Sequence, residues 1–156
     1  MKITVYKLTP NKVEEFSHRL LEIAEKTIEY PTQAIDYYRN IFSPEAIRLK
    51  LDSSVALYIQ QSGKIVAVLF GSMPEGGVAT VIWLLVDKDS QGLGYGRRLF
   101  DTAIDNYTHL DTHKIKLTVP NQNTISFYKK LGMTEEGVHP NHWWNMTVSS
   151  MGLVLK

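Results

Sequence analysis

Six consecutive apolar residues, Val81, Ile82, Trp83, Leu84, Leu85 and Val86, run through a polar turn into a glycine-spaced segment and then into a helix pattern, all within residues 78–99. No other stretch constrains the fold as tightly. An unbroken run rich in β-branched and aromatic side chains predicts a strand buried on both faces, hence one placed centrally in a sheet. Asp87 to Ser90 form the turn, and Gln91, Gly92, Leu93, Gly94, Tyr95 and Gly96 put a glycine at every second position where the helix starts.

Peptide N–H groups in the first turn of a helix lack intrahelical partners and sit at the positive end of the macrodipole, so this junction is suited to an anion such as a phosphate. The same glycines would equally serve a tight turn and close helix packing. A dinucleotide fingerprint, Gly-x-Gly-x-x-Gly, is not met, because the third position after Gly94 is Arg97. The Gly-Lys-Ser/Thr of a phosphate-binding Walker loop is also absent.

The chain has no cysteine, which excludes a structural disulfide, a thiolate metal site and a cysteine nucleophile. Its 17 basic and 16 acidic side chains include no block of one sign, which argues against a nucleic-acid track or a polybasic membrane anchor. The first ten residues lack the apolar core of a signal peptide, and no window approaches the ~20 apolar residues of a membrane span. Neither nucleic acid nor membrane is expected as a partner, and the location expected is cytoplasmic. At 156 residues, a single domain spanning 1–156 is expected.

Ile3, Val5, Tyr6 and Leu8 suit a short first strand over residues 2–8. Thr9 as N-cap with Pro10 at the first helical position opens a helix carrying Val13, Phe16, Leu20, Ile23, Ala24 and Ile28 on one face. Pro31 interrupts it. A weaker pattern follows through Ile35, Tyr38 and Ile41, and Ser43, Pro44 and Glu45 restart a helix toward Leu51. From Val55 the period changes to a β-hairpin turning at Gln61, Ser62 and Gly63, and Gly76 and Gly77 turn the chain into the central strand. The helix after the glycines shows Leu99, Phe100, Ala103, Ile104 and Tyr107 on one face. Residues 114–119 alternate as another strand, parallel to the central one by the crossover rule. Asn123 can cap a short helix with Ile125, Phe127, Tyr128 and Leu131, closed by Gly132. Residues 143–148 and 151–155 read as a final hairpin around Ser149 and Ser150. The fold class is therefore α/β, with a mixed α+β sheet flanked by helices.

Two separated motifs now combine. Gln91-x-x-Gly94-x-Gly96 follows the buried strand, and about thirty residues on Asn121 is followed at the seventh position by Tyr128 within ISFYKKLGM. Together they resemble the GNAT acetyltransferase superfamily, whose signature is Gln or Arg, two residues, Gly, one residue, Gly or Ala, with a later Asn, six residues, Tyr. The order of elements is similar along essentially the whole chain.

The resemblance implies a GNAT-like fold and acetyl-CoA as co-substrate, with no metal. It implies that the pantetheine arm pairs with the backbone of Leu84, Leu85 and Val86. Amides from Gly92, Leu93, Gly94, Tyr95, Gly96 and Arg97 would hold the pyrophosphate, Gln91 would bind the cofactor beside them, and Asn121 would bind the cofactor arm. An N–H near Leu85 or Val86 would donate to the oxyanion formed when an amine attacks the thioester. Tyr128 matches the family's general acid toward the departing thiolate; a phenol with an ordinary pKa near ~10 holds its proton at neutral pH. The acceptor implied is the amine of a small molecule or peptide, in a cleft lined by the first helical pair and the final hairpin. Of the aromatics there, Tyr30, Tyr37, Tyr38, Trp143 and Trp144, most are expected to be core and a few to shape the acceptor pocket.

The glutamate that some relatives carry early in the central strand is replaced by Val78, Ala79, Thr80 and Val81. Ordered water, Glu29, Asp36, Glu75, His139 and His142 stay open as routes for the amine proton. Arg98 stays open as a phosphate contact. A non-catalytic acyl-CoA sensor is the alternative function, and the final hairpin could pair between subunits in a homodimer.

Overall fold

The computed structural model describes residues 2–120 and 122–156. Its strands are β1 (Tyr6–Lys7), β2 (Ser54–Gln61), β3 (Lys64–Ser72), β4 (Val78–Val86), β5 (Lys114–Val119), β6 (Thr134–His139) and β7 (Val148–Val154). Its helices are α1 (Val13–Thr27), α2 (Thr32–Ile41), α3 (Pro44–Lys50), α4 (Tyr95–Thr108) and α5 (Ile125–Lys130). The strands form one seven-stranded sheet in the order β1-β2-β3-β4-β5-β7-β6. Among the described residues only the β4–β5 contact is parallel, so the sheet is mixed as expected.

Each face carries its own core. On one, Phe16, Leu20 and Ile23 of α1 and Ile47 of α3 pack on Tyr58, Val68, Phe70, Trp83 and Leu85. On the other, Leu99, Phe100, Ala103 and Tyr107 of α4 pack on Leu57, Leu69, Val81, Ile115 and Leu117. These are the helical stripes read from the 3.6-residue period, buried because each helix lies flat on a sheet face.

The central strand departs from expectation in an informative way. Phe70 pairs with Trp83 and Gly71 with Val81, so Ile82 has no partner on β3 and forms a β-bulge. The extra residue flips the side-chain parity. Val81 belongs to the α4 core, whereas Trp83 and Leu85 belong to the α1 core. Beyond the bulge β4 is not buried on both faces: Ile82 is 45% exposed, and Leu84 and Val86 are half-buried, because the strand turns there to line a cleft.

Other boundaries also moved. The first strand shrinks to two exposed residues at the sheet edge. Thr9 is extended, but its hydroxyl donates to Asn11 Oδ1 rather than capping amides, and a 3-10 turn over Pro10–Lys12 precedes α1. Ser43 does cap, accepting from the Ala46 N–H at 3.2 Å. A 3-10 turn over Gln122–Thr124 leads into α5, so Thr124 rather than Asn123 is the N-cap. The final hairpin pairs β7 with β6 instead of with residues 143–148. β6 reads TEEGVH, an edge strand whose polar side chains gave no apolar signal, and Ser149 lies fully buried inside β7, opposite Val119. Among the described residues no helix is long and apolar enough to cross a membrane.

Candidate active site

β4 and β5 pair only where Val78, Ala79 and Thr80 meet Lys114, Ile115 and Lys116, and then diverge. The gap widens into a cleft of about 1240 Å³ lined by residues of β4, β5, α2, α5 and the loop before β7. Past the bulge the backbone of β4 is a free edge on this side. The Asp87 N–H donates to the Val66 carbonyl at 2.8 Å, and Val86 lies opposite Ala67, which fixes the alternation of the antiparallel ladder. Leu85 therefore turns its N–H and C=O to β3. Leu84 and Val86 turn theirs into the cleft, where the Gln91 side-chain amide donates to the Val86 carbonyl at 3.2 Å. An extended ligand could add to this edge as a strand does.

At the end of β4 the chain makes a 3-10 turn over Lys88–Ser90 and reaches the glycines. Gly92 and Gly94 adopt φ of +80° and +86°, which favour glycine, and a Cβ at either would meet nothing within 4 Å. The surface above the loop is thus open. Arg98 is the first residue to bond back, to the Gly94 carbonyl at 3.0 Å, and among the described residues the backbone N–H groups from Gly92 to Arg97 have no acceptor. This is the bare helix start expected of an anion site.

The side chains around it serve the scaffold. Tyr95 is buried, and its hydroxyl accepts from Gln61 Nε2, so the ring anchors the loop to β2. Gly96 is needed for close approach: an added Cβ would lie 2.8 Å from Phe127 Cζ. Arg97 donates through Nη2 to the Lys130 carbonyl at 2.7 Å, tying the start of α4 to the end of α5, and Leu93 and Arg98 project to solvent.

A lock that sequence reading missed holds the loop's root. Arg19, nearly buried on α1, donates through Nε to the Ile65 carbonyl at 2.7 Å and through Nη2 to Asp87 Oδ2. Burial works to raise the Asp87 pKa, but the Arg19 guanidinium, helped by the charges of Lys64 and Lys26, holds the carboxyl below its ordinary range. An arginine among the apolar positions of α1 was the available signal, legible only once its partner 68 residues away is known.

Tyr128 is half-buried and lines the cleft, and burial pushes its phenol up to about 12. Tyr30 lies close enough for the Tyr38 and Tyr128 charges to add to the burial that raises its own pKa. Leu84, Leu85, Val86, Gln91 and Tyr128 thus share one cavity, and Gly92 to Arg97 continue from its rim. Asn121 lies outside the described residues. Of the groups considered for the amine proton only His142 lines the cleft; Glu29, Asp36, Glu75 and His139 do not. Glu136, not foreseen, does line it, but Lys114 Nζ holds its carboxylate at 2.8 Å. Tyr30, Tyr37, Tyr38, Trp143 and Trp144 all line the cleft, more of them than the few expected to leave the core for it. Among the described residues no group of three His, Asp or Glu is placed to hold a metal ion.

Bulged strand, split sheet and open glycine loop define a mixed α/β fold with a cleft at the end of the central strand. The chain belongs to the acetyltransferase (GNAT) family, whose family model matches residues 17–133. No curated protein sequence matches it. Among solved structures it is similar to the paia N-acetyltransferase of Thermoplasma acidophilum in complex with coenzyme A, with 17% identity, TM-score 0.80 and 96% and 98% of the two chains covered. An acetyltransferase of the GNAT family from Streptococcus pneumoniae superposes with TM-score 0.82 at 17% identity, covering 99% and 100%. The ribosomal-protein-S18-alanine N-acetyltransferase of Escherichia coli does so with TM-score 0.75 at 20% identity, covering 99% and 95%. At these identities the likeness is one of fold.

Proposed function

We propose that residues 1–156 act as one domain that transfers the acetyl group of acetyl-CoA to a primary amine by direct attack on the thioester. The observation that carries this reading is the continuity of a free strand edge at Leu84 and Val86 with the unpaired amides from Gly92 to Arg97, with Tyr128 lining the same cleft. The edge suits the amide-bearing pantetheine arm and the amides suit the pyrophosphate. The N–H groups of Leu84 and Val86 are the candidates to receive the oxyanion, since the Leu85 N–H is directed at β3.

Attack forms the C–N bond and breaks the C–S bond, leaving a thiolate. Burial that keeps the proton on Tyr128 also makes that proton reluctant to leave. The phenol therefore serves first as a hydrogen-bond donor to sulfur as charge develops, with solvent completing protonation. The proton lost by the amine passes to water or to His142.

The test is Tyr128→Phe, with coenzyme A release followed over a panel of amines and coenzyme A binding measured alongside. General acids contribute about 10² to 10⁴ in rate, and a thiolate is a good leaving group, so the lower figure is expected: kcat falls about 100-fold with coenzyme A affinity kept. Tight coenzyme A binding with no amine ever acetylated by the parent protein would favour an acyl-CoA sensor instead.

A further inference from the structure

The cleft has an aromatic wall and a polar floor, and their chemistry differs in a way that selects an acceptor. In the wall, Tyr38 stands 5.1 Å from Trp83 and 6.0 Å from Trp144 between ring centroids, and Tyr37 stands 5.3 Å from Trp144. The Trp144 indole N–H donates to the Tyr38 hydroxyl at 3.1 Å. Trp144 is held at φ +54° and ψ +33°, and Asn145 follows at φ +61°, a left-handed pair that a bulky residue adopts only where its surroundings impose it. The loop before β7 is bent so that this indole closes the wall.

The floor is the face of β5 and β7 opposite the α4 core, presenting Lys116, Thr118 and Ser150 to the cleft. Among the described residues Lys116 has neither an ion pair nor a hydrogen bond, whereas the one lining carboxylate, Glu136, is taken by Lys114. The other lining lysine, Lys50, sits over the Phe42 ring. The charge left available is positive. A polycationic acceptor would meet a like charge there and no free carboxylate, while an acceptor with an anionic group would find a partner. The rings of this wall meet edge to face, and an aromatic wall with one placed polar group suits a ring-bearing apolar body that can add to the same edge-to-face packing.

We propose that the acceptor is an aromatic amino acid taken at its α-amine, its ring against Tyr37, Tyr38 and Trp144 and its carboxylate paired with Lys116. This rests on the acetyltransferase reading. The amine nitrogen bonds to the acetyl carbon, the thioester C–S bond breaks, the nitrogen gives up its proton and the sulfur gains one, yielding an N-acetyl amino acid and coenzyme A.

Coenzyme A release is measured with L-tryptophan, L-phenylalanine, tryptamine, phenethylamine, spermidine and kanamycin. The expected order places the amino acids at least tenfold in kcat/KM above the amines of the same ring, and at least 100-fold above spermidine and kanamycin. Lys116→Met is expected to raise KM for L-tryptophan about tenfold, to leave tryptamine unchanged and to leave KM for acetyl-CoA unchanged. Tyr37→Ala, at an exposed position, is expected to weaken all four aromatic acceptors alike. Preference for spermidine or kanamycin, parity of tryptamine with tryptophan, or turnover of the other amines with none of either amino acid would each overturn the assignment and leave the acetyltransferase reading standing, whereas coenzyme A binding with no amine turned over would overturn both. Failure to bind coenzyme A would overturn both.

Discussion

Tyr128 shows how one environment sets two properties of a side chain. Desolvation raises its phenol to about 12, so the neutral form, favoured by burial, persists well above the pH at which a solvated phenol ionises. The pH dependence follows with a definite sign. In the role proposed for Tyr128, donor to the leaving sulfur, a group that must be protonated limits rate only as pH rises through its pKa, so kcat should show no falling limb up to about pH 10.5, measured under saturating acetyl-CoA and amine. A fall centred near 10 would mean that the phenol is solvated when it works.

Elements explain why so few side chains are needed. β4 offers alternate backbone groups to the cleft, an arrangement set by the register with β3 and freed from β5 by the split after Thr80. Residue-resolved hydrogen exchange should find the Leu84 and Val86 amides fast in the free protein and slowed at least tenfold by acetyl-CoA, with Leu85 slow in both states. The packing of α4 on α5 sets the other side of the site. Gly96→Ala places a methyl 2.8 Å from Phe127 Cζ, so the Phe127 ring must shift, and with it the setting of α5, which carries Tyr128 at the next position. Its stability cost of about 1–2 kcal/mol from overpacking is partly offset by the better helix propensity of alanine. The expected result is a small change in Tm but a tenfold or greater loss in kcat, and Phe127→Leu should recover part of it.

Across the whole molecule, the Arg19–Asp87 contact fastens the root of the glycine loop to a helix on the opposite sheet face. Asp87→Asn leaves a nearly buried guanidinium with the Ile65 carbonyl and the half-exposed Glu22, so a loss of about 2 kcal/mol is expected, less than for a fully isolated buried charge. For a chain this size that lowers Tm by about 4–8 °C. Because the folded Asp87 has a depressed pKa, its contribution is fully present above the ordinary value of 3.8 and fades as pH falls from there toward the folded value. The gap between parent and variant should therefore be constant through neutral pH and narrow below about pH 4 in chemical denaturation.

Local pattern determined much of this protein. The apolar periods of α1 and α4, the Ser43 cap, the hairpin at Ser62 and Gly63, the positive-φ glycines and the helix ended by Gly132 all depend on neighbours within a few residues. They were legible for that reason. The Ile82 bulge, the placement of β7 between β5 and β6, the diversion of Tyr95, Gly96 and Arg97 into the scaffold, and the meeting of Trp144 with α2 were decided only by tertiary structure. Each depends on register, or on partners dozens of residues away, and the energy that selects it resides in contacts between segments that no local period encodes.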